Sequence, residues 1–372
     1  MQVRSLFVLT VTLTLGILAS AAQAADSIIL RPDFRKITDR TVTSFDPDGV
    51  KLDDGTVLAW DKIQKATLGP PRQASFDELL NKLEKPLGRL DVGLKAGDYQ
   101  GLLESAEELY PIYQERNSRT AYLVFQSLMW GRLAHGQRAQ AVAPYLRCYN
   151  YLMLHPDEKN LLPGRRTLQF DPKTGLCSDL PPVWFSAEEA KAALPEVVAA
   201  VQQMKANRPD GVYLYYASLL TSAGDAAQAD RFLKAVRGPF PISLQLRTIV
   251  QAQAEAISGK RGVSLGALEG SVDSMLPETR PLGLYWLGIA KLSSDDPKIQ
   301  RQGVLQLLYL PALYGEQYPE LAAASLYAGM TTLAEMKDLN SSLALRREIQ
   351  KTYPQTWHAQ QLKRDAAKPD AP

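Results

Sequence analysis

One serine lies in a pattern that is typical of a catalytic nucleophile. Residues Gly262–Gly266 (GVSLG) fit G-x-S-x-G, in which a sharp turn from a buried strand into a helix presents the hydroxyl of Ser264 beside backbone N–H groups. His358 follows in the chain order that such a hydrolase needs. However, residues 254–261 have the pattern of a helix end and a charged loop rather than of a strand. We therefore expect a glycine-rich turn between helices here, and no catalytic residue.

Metal and nucleotide chemistry has little support in the sequence. The histidines His135, His155 and His358 are scattered, without a dense ligand set such as H-E-x-x-H. Residues 46–49 (DPDG) start like a calcium loop but lack the later acidic ligands, so a hairpin turn explains them better. No nucleotide-binding glycine motif occurs, so we predict no metal and no cofactor. An enzyme with an unrecognised pair of carboxylates stays an alternative, because the 40 acids offer many spatial pairs.

The two cysteines admit two interpretations. Cys148 and Cys177 belong to no C-x-x-C pair and to no metal-ligand spacing. In an oxidising compartment they could form a disulfide, which would constrain the unfolded chain. Cys148 also lies on the apolar side of a predicted helix, where an unpaired cysteine packs as a small hydrophobe. The sequence does not give the distance between the two α-carbons, so the disulfide and the free thiols both stay open.

The first 24 residues have the order of a secretory signal peptide. Arg4 precedes an apolar stretch over residues 6–19, and Ala22-Gln23-Ala24 supplies small residues for cleavage after Ala24. The apolar stretch is shorter than the roughly 20 residues that a spanning helix needs. We therefore predict export to the periplasm or the medium, with peripheral envelope association and no transmembrane span after cleavage. An uncleaved anchor is the alternative.

The composition is typical of a folded, water-soluble chain without strong overall charge. Hydrophobic residues make up 45% and charged residues 22% of the 372 residues, which argues against disorder and against a multi-span membrane protein. The formal net charge is +2, so no overall field favours a nucleic acid as partner. The length fits about two domains or one long repeat array.

Residues 25–70 are predicted to form a small β-meander. The hydrophobic period is close to two, and the Asp48-Gly49 and Asp54-Gly55 pairs separate β-favouring segments. Such a sheet buries little on its own, so part of it should dock on the chain that follows. The residues expected to dock are Val57, Trp60 and Ile63.

Residues 71–366 are predicted to form a helical domain. Ser75 with Glu78, and Ser186 with Glu189, have the spacing of a capping box at a helix start. Leucines at steps of three and four then lie on one helix face, at Leu79, Leu83, Leu87, Leu90 and Leu94. Short Gly, Asp or Pro breaks separate the helices that follow.

Residues 156–185 interrupt the helical pattern with five prolines and no sustained period. We predict a loop insertion that could be a lid, an interface or an inert excursion, since loops of this length are often functional. Its Arg165-Arg166 pair could hold a carboxylate or a phosphate, although exposed arginines are common. Residues 367–372 are predicted to be a flexible tail.

One segment resembles a tetratricopeptide repeat (TPR), a unit of two packed helices. The segment has the residue types that this family places in its first helix, at its turn and in its second helix. The bulky first-helix residues are Tyr213, Tyr216 and Leu220, and the small contact residue is Ala217. The turn glycine is Gly224, and the second helix and the terminating proline are matched by Ala229, Leu233 and Pro241. Gly136 belongs to a weaker copy and Gly97 marks a third. The resemblance, to TPR-like proteins of the secreted bacterial type, implies a mainly α fold. It would be a solenoid of α-helical hairpins with a concave face, preceded by the β-meander.

The same resemblance implies binding rather than conversion of a substrate. We expect an exported protein–protein interaction module or scaffold of the bacterial cell envelope, with a protein or peptide partner on the concave face. The sequence does not give the identity of that partner. The alternatives are an envelope hydrolase that uses Ser264 or unrecognised carboxylates, and a self-associating structural spacer.

Overall fold

The structure, a computed structural model, describes residues 26–156, 167–204, 208–259 and 262–367. Within these ranges the chain is mainly helical, with 14 α-helices after a small antiparallel sheet region, as the sequence predicts. The predicted leader, the Arg165-Arg166 pair and residues 368–372 of the predicted tail lie outside the described residues.

The N-terminal strands form two three-stranded antiparallel sheets rather than a single meander. The strands are β1 (Ser27–Leu30), β2 (Lys36–Ile37), β3 (Val42–Asp46), β4 (Gly49–Leu52), β5 (Val57–Leu58) and β6 (Ile63–Thr67). The order is β2-β1-β6 in one sheet and β3-β4-β5 in the other, because β6 returns to pair along β1. The prediction is thus corrected: only β3, β4 and β5 form a meander.

Trp60 connects the strands to the helical domain. Its ring centroid lies 5.1 Å from that of Phe76 in the first helix, and its indole N–H donates to the carbonyl oxygen of Asp46 at 2.8 Å. Trp60 and Ile63 are fully buried, as predicted, whereas Val57 is exposed. Val57 pairs with the exposed Lys51 on β4, so its side chain lies on the solvent face of the sheet.

The helices follow one another with short connections except before α5. They are α1 (Arg72–Ala96), α2 (Leu103–Tyr113), α3 (Arg119–Ala134), α4 (Val142–Leu154), α5 (Ala187–Gln203), α6 (Asp210–Ser222), α7 (Ala226–Leu233), α8 (Pro241–Ile257), α9 (Val263–Ser271), α10 (Arg280–Leu292), α11 (Pro297–Tyr314), α12 (Pro319–Glu335), α13 (Leu339–Thr352) and α14 (Trp357–Ala367). The apolar run of α10 is packed in the core, and no helix of the described ranges is long and apolar enough to cross a bilayer.

Each helix packs on the next along the chain, and from α6 onward every second helix also packs on the next but one, as α6 does on α8. Glycines with positive φ follow α1, α3 and α6, namely Gly97 (75°), Gly136 (72°) and Gly224 (92°). This left-handed conformation favours glycine, and it lets the chain leave one helix and enter the next. Pro241, the terminating proline of the resemblance, is the first residue of α8.

Only the serine half of one predicted capping box is confirmed, because the described hydrogen bond of the Glu189 side chain comes from Trp357 and not from the N–H of Ser186. Ser186 Oγ accepts the backbone N–H of Glu189 at 3.2 Å, and α5 begins directly after this serine. The Ser75 box is wrong, because α1 begins at Arg72 and Ser75 lies inside its first turns. The side chain of Gln73 takes part in the start of α1 instead, since its Oε1 accepts the backbone N–H of Leu68 at 2.6 Å.

The last helix returns to the beginning of the helical domain. The indole N–H of Trp357 donates to Glu189 Oε1 at 2.6 Å, which joins the start of α14 to α5. Gln100, in the connection after α1, donates to Gln355 Oε1 at 3.4 Å. A Cβ on Gly136 would stand 3.4 Å from the backbone of Trp357. The first and last parts of the helical domain are therefore in contact.

Candidate functional site

The described part of the predicted insertion, residues 167–185, lies against α6. We call it the inner segment. Tyr215 Oη accepts the backbone N–H of Cys177 at 3.0 Å and donates to the carbonyl oxygen of Leu180 at 2.8 Å. Leu180 is fully buried, and so is Tyr215. The prediction of a loop insertion is correct for these residues, but the loop is part of the core rather than a surface excursion.

Gly211 lets the inner segment approach α6 closely. Its N–H donates to the carbonyl oxygen of Thr174 at 2.7 Å, and a Cβ at this position would stand only 2.5 Å from that oxygen. Tyr145 of α4 also donates to this segment, at the carbonyl oxygen of Gly175, over 2.8 Å. The surfaces of α4 and α6 beneath the inner segment are therefore covered by the chain itself.

A groove runs beside the inner segment, and its other wall is formed around the N-terminal ends of α8, α10 and α12. Its wider part has a volume of about 530 Å³ and its narrower part about 150 Å³. Both parts are lined by Ser178, Asp179, Leu282, Gln317 and Tyr318, so they are continuous. Such a mixture of apolar walls and a few polar groups is typical of ligand sites.

The narrow part of the groove leads to a cavity of about 390 Å³, where the two ends of the helical domain meet. We call it the closure cavity. Residues that line it include Tyr99, Trp130, Arg138, Glu320, Tyr353 and Thr356. Arg138, Asp179 and Glu320 line both the closure cavity and the narrow part of the groove, which makes the two neighbours.

Arg138 is a buried cation with few partners. Only 9% of Arg138 is exposed, yet its guanidinium makes a single hydrogen bond within the described chain, a weak one from Nη2 to the carbonyl oxygen of Pro181 at 3.3 Å. Its Nε is buried without a hydrogen-bond partner, and no described carboxylate forms an ion pair with it within 4.0 Å. Burial lowers the pKa of this guanidinium. An unpaired buried charge is costly, so this arrangement calls for an explanation.

Glu320 also lines the closure cavity, but its carboxylate is hydrogen-bonded to the start of α14. Its Oε2 accepts the backbone N–H of Trp357 at 3.1 Å, at the start of α14. Burial raises the pKa of Glu320, although the charge of Arg138 and the Trp357 N–H act in the opposite direction. The closure cavity is therefore lined by two acidic residues, Asp179 and Glu320, and by a guanidinium whose donors are mostly unused.

Ser264 does not lie on a turn between a strand and a helix. The carboxylate of Glu255 accepts the backbone N–H groups of Ser264 at 3.0 Å and of Leu265 at 2.8 Å, which caps the start of α9. The predicted interhelical turn is therefore confirmed. His358 lies in α14, and the described contacts of Ser264 and His358 do not include each other.

The three histidines stay apart in the fold. His358 is buried in α14, and burial lowers its pKa to about 3. His135 caps the end of α3, and His155 follows α4, where its ring stacks on Tyr151 at 4.3 Å. Both are half-buried. Within the described ranges, no group of three or more His, Cys, Asp and Glu residues could hold a metal ion.

The two cysteines are unbridged and buried. Cys148 packs in α4 as a small apolar residue, and Cys177 lies in the inner segment. Burial raises the pKa of the Cys177 thiol to about 12 and that of Cys148 well above its usual range. Of the two interpretations of the sequence, the structure has the free thiols and not the disulfide.

The charged residues of the closure cavity could not be identified from the sequence. Arg138 follows the turn at Gly136 and looks like an ordinary solvated arginine, while Glu320 looks like a first-turn acid of a helix. Neither belongs to a motif. Their proximity depends on the return of α14 to α3 and α5, which no local pattern indicates.

Comparison with known proteins adds no identity to this site, since no family model, no curated protein and no solved structure matches the chain.

Proposed function

We propose that the chain is an exported protein–protein interaction module or scaffold of the bacterial cell envelope, which binds a protein or peptide partner in the groove beside the inner segment. Export rests on the signal-peptide pattern of residues 1–24. The binding role rests on the groove, whose wider part is about 530 Å³ and is lined by both apolar and polar side chains.

The packing of the helices supports a repeat array as the frame of this groove. From α6 to α14, alternate helices pack on one another as well as on their sequence neighbours. This is the contact pattern expected of stacked helical hairpins, each of which covers an apolar flank of the next. We propose on this basis a TPR-like solenoid, in which α8, α10 and α12 present their N-terminal ends to the partner.

The inner segment changes where that partner would bind. An open solenoid offers its whole inner face, but here the surfaces of α4 and α6 are occupied by residues 167–185. The proposed binding surface is therefore the remaining part, between the inner segment and α8, α10 and α12. Gln317 and Glu278 are exposed side chains that line it.

A pull-down with matched variants tests this proposal. The mature chain is immobilised and exposed to envelope extract, and retained proteins are quantified by mass spectrometry. Gln317→Trp places a bulky side chain in the groove, whereas Glu316→Trp changes the adjacent exposed residue, which does not line it. We expect a specific partner to be lost with Gln317→Trp and retained with Glu316→Trp. Equal retention by both variants would remove the groove as the binding surface.

A further inference from the structure

We propose that the closure cavity is a binding site for a carboxylate attached to an apolar group of about the size of an aromatic ring. The proposal concerns a small ligand and does not depend on the partner proposed for the groove. It rests on the unused donors of Arg138, on a second unpartnered polar atom in the same cavity, and on the aromatic and aliphatic side chains that form part of its wall.

The cavity has buried hydrogen-bond donors without partners, so a ligand that binds there should supply a hydrogen-bond acceptor. A guanidinium has five N–H donors and no acceptor, and within the described chain that of Arg138 donates only to the carbonyl oxygen of Pro181. The buried hydroxyl of Tyr99 also lacks a hydrogen-bond partner. A carboxylate is the acceptor that fits a guanidinium best, because two parallel hydrogen bonds form at once.

The helix that begins at this cavity favours the same charge. Pro319 and Glu320, the first residues of α12, line the cavity, and no side chain caps the start of this 17-residue helix. The unpaired N–H groups of a first helical turn attract anions. The carboxylate of Glu320 is itself bonded to the backbone N–H of Trp357 at 3.1 Å.

The rest of the wall is suited to an apolar group. Tyr99 and Trp130 lie with ring centroids 5.9 Å apart, and Leu133 and Tyr353 are further apolar residues of the lining. A cavity of about 390 Å³ is within the range of small-molecule sites, which lies at roughly 300–1,000 Å³. A ligand with one carboxylate and one aromatic ring therefore matches the guanidinium and the apolar side chains of the cavity.

Calorimetric titration with matched probes tests the site. The probes are 3-phenylpropanoate and its neutral analogue 3-phenylpropanamide, added to the mature chain. We expect the acid to bind at least about tenfold more tightly than the amide, because only the acid can form the charged bidentate pair. Equal binding of acid and amide, or binding of neither, would overturn the proposal. Neither result bears on the groove, whose proposed role is tested separately by the pull-down from envelope extract.

Two variants and a control assign the effect to the cavity. Arg138→Gln should reduce acid binding to the level of the amide, whereas Arg280→Gln should leave it unchanged. Arg280 is the matched control because its Nε is also buried without a partner, although it lies outside the closure cavity and pairs with Asp273 at 2.9 Å.

Tyr99→Phe removes only one hydroxyl and provides a second test if Arg138→Gln does not fold. It should weaken acid binding about threefold. If Arg138→Gln folds and binds the acid as tightly as the wild type, the site is refuted. If only Tyr99→Phe folds, unchanged acid binding by that variant refutes it.

A third probe distinguishes the source of the carboxylate. N-acetyl-Ala-Ala-Phe carries the same ring and carboxylate at the end of a peptide. If it binds more tightly than 3-phenylpropanoate, and loses that affinity with Arg138→Gln, the cavity takes a peptide end. If the small acid binds as tightly or more so, the ligand is a free organic acid.

Discussion

His358 is held neutral inside the fold. Its ring lies among those of Phe185, Tyr327 and Trp357, and its Nδ1 has no hydrogen-bond partner. Burial lowers its pKa from 6.5 to about 3. The unfolded chain therefore binds a proton at His358 at pH values at which the native state does not. The stability that neutral His358 contributes is fully present above pH 6.5 and is lost as the pH falls toward 3.

Urea unfolding at two pH values measures this effect. Between pH 7 and pH 5, His358 alone should lower the free energy of unfolding by about 2 kcal/mol. His358→Phe should abolish that part of the pH dependence, whereas His155→Phe, at the end of α4, should keep it. A pH dependence that is the same in the wild type and in His358→Phe would contradict the buried neutral state.

Residue types indicated the core better than they indicated the site. Leu83, Leu87, Leu90 and Leu94 of α1 are buried as predicted, because burial follows from a local period of 3.6, whereas Leu79 is only half-buried. Arg138 gave no such signal, since its burial depends on Glu320 and Tyr353, which are distant in the chain. Local periodicity has no information about which loops a distant helix will cover.

Helix starts give a sharp test at the scale of single elements. Ser186 Oγ caps α5, so Ser186→Ala should lower the free energy of unfolding by about 1 kcal/mol. Ser75 has the same sequence signature but lies exposed within α1, so Ser75→Ala should change stability little or raise it slightly. Urea unfolding of both variants makes the comparison. Equal losses would mean that α1 begins at Ser75 in solution.

The difference between the two boxes shows what a capping motif can and cannot predict. Ser186 follows a non-helical inner segment, so its spacing to Glu189 is the first helical feature in that region. Before Ser75, Pro71 already permits a helix start and Gln73 satisfies the N–H of Leu68. The motif is local, whereas the first residue of a helix also depends on the partners that the preceding chain finds. The two sheets were missed for a similar reason, since β6 pairs with the distant β1.

At the scale of the whole molecule, the first question is the length of the mature chain. If residues 1–24 are a signal peptide, the protein recovered from the periplasm should begin at Ala25. Intact-mass measurement after expression of the full gene in a bacterial host checks this directly. The same spectrum, taken after alkylation in denaturant without reductant, should show two modified cysteines. A full-length mass would favour an uncleaved anchor, and an unmodified pair would mean that Cys148 and Cys177 had bonded.

The contact between α14 and the beginning of the helical domain also has a consequence for biosynthesis. Tyr353 and Thr356, which form part of the wall around Arg138, follow it in the chain by more than 200 residues. Both are therefore synthesised well after Arg138. The pocket of Arg138 stays incomplete until the ribosome has passed Thr356, so the guanidinium has to wait for a late part of the chain before it is enclosed.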